Sequence, residues 1–161
     1  MLIGHIEKQG RWWVATCEIV GAFTQGRSRA EAMKNLAEVV ELRVDRDGFQ
    51  ATVSELQRQG RHTLAVIIEP SHPAWLAIAV LKYQRARHRM SLADVARALG
   101  AASRNAYASY EQGAREPTLG KFHELLGAVA PDMTLILGPR LGLQRHAPAK
   151  RPARGGSRKA L

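Results

Sequence analysis

One cysteine stands in 161 residues, so Cys17 has no partner for an internal disulfide and a disulfide-stapled scaffold is excluded. Its place inside the strand-like run WWVATCEIV makes it a core residue rather than a nucleophile. No stretch approaches the roughly 18 consecutive apolar residues that a membrane span needs. The opening MLIGHIEKQGRW also lacks the basic segment and apolar run of an export signal. These absences predict a cytoplasmic protein with no membrane partner. The six histidines, His5, His62, His72, His88, His123 and His146, form no i,i+4 pair and have no cysteine beside them, so no zinc pattern is present. Acidic residues are missing altogether from 139–161.

What is present is a composition of 45% apolar and 24% charged residues, that of a soluble globular chain. The patterns change character near residue 72, which predicts two small domains, 1–72 and 73–138, followed by a disordered basic tail over 139–161. The net charge of +10 divides along the same lines. Residues 1–72 hold nine Lys and Arg against nine Asp and Glu, 73–138 hold eight against five, and 139–161 hold seven against none. A basic excess confined to the C-terminal half is what phosphate neutralisation by that half requires. The tail is either a basic arm tracking phosphates or a solubilising end.

Residues 3–7 and 12–19 read as strands joined by a turn at Lys8-Gln9-Gly10, and 21–26 as a short third strand. Ser28 with Glu31 forms a capping box that opens a helix, whose apolar positions Ala32, Leu36, Val39, Val40, Leu42 and Val44 hold one face until Asp47-Gly48. A second box, Thr52 with Glu55, predicts a short helix to about residue 59, and HTLAVIIEP a final strand. The predicted fold class is therefore α+β, a β-β-β-α-β unit followed by an all-α unit. That second unit starts with a helix over 74–88 and ends with one capped at Thr118 and running to 129. Residues 133–137, MTLIL, read as a short C-terminal edge strand suited to pairing with a second copy.

Between those two helices, SLADVARALGAASRNAYASYEQG (91–113) carries two short helix patterns joined by a small-residue turn. Ser91 caps the first, whose apolar stripe is Leu92, Val95, Ala96 and Leu99. Ser103 caps the second, with Tyr107 and Tyr110 facing back onto that stripe. This arrangement braces one helix with another so that Ser103, Arg104, Asn105 and Ser109 are offered for DNA binding in the major groove. Arg forks onto guanine and Asn onto adenine, each bidentate contact giving on the order of 1–3 kcal/mol of discrimination. The plainer reading is a helical hairpin packed against a partner protein.

The span 81–130, read as LKYQRAR, SLADVARALG, SRNAYASYEQG and REPTLGKFHELL, resembles the Cro/repressor class of helix-turn-helix domains. Glu111 and Gly113 stand where that family ends its recognition helix, and its base-reading positions fall on Arg104, Asn105 and Ser109. Leu92 replaces the Gln with which several phage repressors hold a phosphate, and the turn 100–103 is one residue longer than the common form. WWVATCEIVGAFTQG followed by SRAEAMKNLAEVVELRVD resembles the HicB antitoxin domain, a partial RNase H-like fold found beside the small HicA toxin. That resemblance covers residues 2–69. Together the resemblances imply an antitoxin that neutralises a HicA-like mRNA-cleaving toxin and represses its own operon on double-stranded operator DNA, as a homodimer or higher even-numbered oligomer. The alternative is a stand-alone transcriptional regulator whose N-terminal domain senses a ligand or dimerises.

A toxin that binds RNA favours an acidic docking surface, and Glu31, Glu38, Glu41, Asp45 and Asp47 lie on or just after the main helix. They form either such a face or an ordinary solvated one. An RNase H-like fold also invites a search for metal-binding carboxylates, but nothing in the sequence brings Glu7, Glu18 and Glu69 together. The reading is accordingly no enzyme, no catalytic residue, no cofactor and no metal. Trp12 and Trp13, adjacent on one strand, must face opposite ways.

Overall fold

Every strand of the sheet is antiparallel to its neighbours, and the order β3-β2-β1-β5-β4 follows from how the chain crosses it. The computed structural model describes residues 1–101 and 103–135, with the backbone alone at Arg58. Strands β1 (Leu2–Gln9) and β2 (Trp12–Cys17) form the expected hairpin, in which His5 pairs with Thr16 and Gln9 with Trp12. A single 3-10 turn, Glu18–Val20, then replaces the last residues of the predicted second strand and leads to β3 (Ala22–Gly26). Gly21 makes the corner at φ 66°, and a Cβ there would run into the Tyr83 ring.

Helix α1 (Arg29–Val44) joins β3 at one edge to β4 at the other, so it must cross the sheet. Its residues Ala32, Leu36, Val40 and Val44, spaced four apart, are buried against Ile6, Ala15, Cys17, Val66 and Ile68. Each of the larger side chains in this layer contributes about 1.5–3 kcal/mol by burial. Leu42, placed on the apolar face by the sequence, is instead 77% exposed. Ser28 caps the helix by accepting from the Glu31 N–H, while the Glu31 carboxylate accepts from the backbone N–H of Arg27, one residue before the cap. The helix stops at Asp45, in the left-handed region at φ 50°.

The predicted β-β-β-α-β order is corrected by β4 (Ala51–Arg58), which pairs with β5 (Thr63–Pro70) along nearly its whole length. The expected short helix at 52–59 does not form, because Thr52 and Val53 find ladder partners in Glu69 and Ile68 that outweigh a local cap. The observed order is β-β-β-α-β-β, followed by α2 (Pro73–Arg87), α3 (Leu92–Ala98), α4 (Arg104–Glu111) and α5 (Leu119–Val129). Nor are these helices an all-α unit with a core of its own. Leu76, Leu81, Val95, Tyr107, Leu125 and Val129 belong to the same buried cluster as Ile6, Leu36 and Val66. The expected C-terminal strand is also absent at 133–135, which have no regular structure; residues 136–137 and the predicted tail 139–161 lie outside the described residues.

Polar contacts also bind the first half of the chain to the later helices. Gln84 of α2 is fully buried and donates from Nε2 to the Ile19 carbonyl at 2.7 Å. Arg46, just past α1, lies over the Trp75 ring at 5.4 Å and donates to the Gln112 carbonyl at 3.2 Å, at the end of α4.

Candidate nucleic-acid interface

Ser91 and Asp94 close a reciprocal cap on α3: the Asp94 N–H donates to Ser91 Oγ at 3.2 Å and the Ser91 N–H to Asp94 Oδ2 at 2.9 Å. The Ser91 hydroxyl also donates to Asp94 Oδ2 at 2.6 Å, and this bond first, then the one from the Ser91 N–H, holds the Asp94 carboxyl below its ordinary pKa. Val95 and Ala96 are buried, and Leu92 and Leu99 pack half-buried beside them. Gly100, at φ 64°, ends α3 and starts the turn toward α4.

Ser103 caps α4, accepting from the Asn105 N–H at 3.2 Å. Tyr107 is fully buried and Ala108 nearly so, while Tyr110 is half-buried. Of the residues assigned to DNA, Ser103, Arg104 and Asn105 are exposed at the helix N-terminus, and Arg104 has no carboxylate partner among the described residues. Ser109 lies one turn beyond Asn105, is half-buried, and donates its hydroxyl to the Ala106 carbonyl at 3.1 Å. The structure thus brings Asn105 and Ser109 onto one line of the helix, sets Arg104 beside it in the first turn, and engages Ser103 as a cap.

What fixes α4 is a group with no signal in the sequence. Glu111, at its end, accepts from Arg85 Nε at 2.7 Å and from a terminal guanidinium nitrogen of Arg85 at 2.9 Å, a two-point fork. The same carboxylate accepts from the Tyr107 hydroxyl at 2.7 Å, and Arg85 also donates to the Met90 carbonyl at 2.8 Å. Burial, then the bond to Glu111, pushes the Tyr107 phenol far above its usual range, and the Glu111 bond raises Arg85. Arg85 and Glu111 are 26 positions apart. Glu111 was legible as a helix end, but its partner was not.

The acidic residues of the first half divide. Glu31 is taken up at the start of α1. Glu38, Glu41, Asp45 and Asp47 instead border one open hollow with Leu42 and Arg46. Within it Glu41 accepts from the Ala51 N–H at 2.9 Å, and Glu38 lies 3.7 Å from Lys34. Cys17 is buried, with its thiol pushed upward in pKa by burial. Among the described residues there is no His, Cys, Asp and Glu group able to hold a metal ion, and no helix long and apolar enough to cross a membrane.

No protein-family model, curated protein or solved structure matches this chain.

Proposed function

We propose that this chain binds double-stranded operator DNA through α4 and that its sheet half neutralises a small HicA-like ribonuclease toxin, making it an autoregulating antitoxin. The carrying observation is the first turn of α4. Arg104 and Asn105 stand exposed there on a helix whose far end is clamped through Glu111 to Arg85 and Tyr107. A base reader needs donors held in a fixed register, and a clamped helix supplies that. The basic excess of residues 73–161 supports phosphate contact on the same side of the chain. For the toxin, support comes from the hollow where Glu38, Glu41, Asp45 and Asp47 surround the exposed Leu42, a complement to a basic surface with an apolar anchor.

Selection of bound sequences from randomised duplexes, with the full chain and with Arg104→Ala, tests the first part. The variant is expected to lose discrimination at one base position by about 1–3 kcal/mol while keeping the others. A uniform loss on all duplexes would reduce Arg104 to a phosphate contact. Operator reading on paired half-sites also requires an even-numbered oligomer, and a monomer on DNA by sedimentation would remove that element. For the second part, co-expression with the adjacent reading frame should recover a small basic ribonuclease on the tagged chain. Failure to recover one would leave a DNA-binding regulator without the antitoxin role.

A further inference from the structure

Cations and indoles of the sheet half gather at one end of the sheet, away from α4. The β1–β2 turn, made possible by Gly10 at φ 60°, presents Arg11 over the Trp12 ring at 5.3 Å. Alternation puts Trp13 on the side of α1, where Arg29 and Lys8 approach its ring at 5.0 and 5.9 Å. Trp12 therefore faces the opposite side of the sheet, with Val14 and Thr16. The register pairs Trp13 with Gly26, so Arg27, one step on, comes alongside Trp12. Arg11, Trp12 and Arg27 line an open hollow of about 280 Å³. Neither guanidinium has a carboxylate partner among the described residues, and the nearby Glu31 carboxylate is held by the Arg27 backbone.

From this hollow the face opposite α1 continues along β2 and β3. Val14 stands across from Gln25, and Thr16 across from Phe23, which is 58% exposed. Glu7, across from Val14 on β1, bounds the track on that side and confines it to β2 and β3. We propose that this track binds single-stranded nucleic acid, with bases stacking on Trp12 and Phe23 and phosphates meeting Arg11 and Arg27. Unpaired guanidiniums alone would suit any anion, carboxylate peptides included. Two aromatic rings on one sheet face beside them add a surface that fits the flat faces of splayed bases, which a base-paired duplex does not present. The site is separate from the α4 reader and stands or falls independently of it.

The test uses the full chain and a fluorescein-labelled oligouridylate of about ten nucleotides. Anisotropy gives affinity, and intrinsic tryptophan fluorescence reports stacking. Trp12→Ala is expected to weaken binding roughly tenfold. Trp12→Phe should keep most of the affinity while losing most of the quenching. Arg11→Glu with Arg27→Glu should abolish the contribution of the track and flatten the salt dependence. The basic residues 144–161 are common to every variant and cancel in the comparison. Unchanged affinity in Trp12→Ala or in the double arginine variant, with native unfolding behaviour retained, would overturn the proposal. So would competition by uridine monophosphate as effective as that by the oligomer.

Discussion

Glu111 holds three donors with one carboxylate: two from the Arg85 guanidinium and the Tyr107 hydroxyl. Its side chain is 9% exposed and that of Arg85 20%, so neither charge is well served by water. Removing Glu111 strands a partly buried cation and a buried phenol together, whereas removing the phenol leaves the fork intact. Glu111→Ala is therefore expected to lower stability by roughly 2–4 kcal/mol, and Tyr107→Phe by about 1–2 kcal/mol. Urea unfolding of the two variants checks the order, and equal losses would mean that the fork contributes little. Local signals were readable at this scale: Ser28, Ser91, Ser103 and Thr118 all cap helices as their residue types suggest. The Arg85–Glu111 fork was not, because nothing local marks two residues 26 apart as partners.

Three short segments share the spacing of a hydroxyl residue with an acid three positions on: Ser28 with Glu31, Ser91 with Asp94, and Thr52 with Glu55. The first two cap helices. The third lies in β4, where pairing with β5 takes over the backbone groups a helix would have used. The spacing permits a helix, and long-range pairing decides whether one forms. For α3, only seven residues long, the Asp94 contact has a pH signature. The folded-state pKa lies below the usual 3.8, so the contact stabilises fully above that value and its contribution is lost as pH falls toward the folded one. Asp94→Asn should narrow the stability gap to the native chain as the medium is acidified through that window. A gap unchanged by acid, in urea titrations at several pH values, would show that the carboxylate does not support the cap.

The change from strands to helices near residue 72 was readable from the pattern, but the packing of α2 against α1 and the 3-10 turn was not, since it rests on contacts between distant segments. Gln84 illustrates the reason. A glutamine in LKYQRAR looks like a surface residue, yet it is sealed inside, where its Nε2 donates to the Ile19 carbonyl and its Oε1 accepts from Arg87. A fragment beginning at residue 73 would leave the Gln84 Nε2 without its Ile19 acceptor and expose Leu76, Val80 and Leu81. Such a fragment is expected to lose the cooperative urea transition of the full chain, as followed by circular dichroism. A transition of undiminished sharpness would show that the later helices carry a sufficient core.

Arg46 borders the acidic hollow beside Leu42 and also holds the Gln112 carbonyl at the end of α4. The two surfaces therefore share one side chain. An occupant of the hollow that drew the guanidinium away from Gln112 would loosen the far end of α4. If that loosening changed the affinity of α4 for a ligand, reciprocity would require the ligand to change the affinity of the hollow by the same factor.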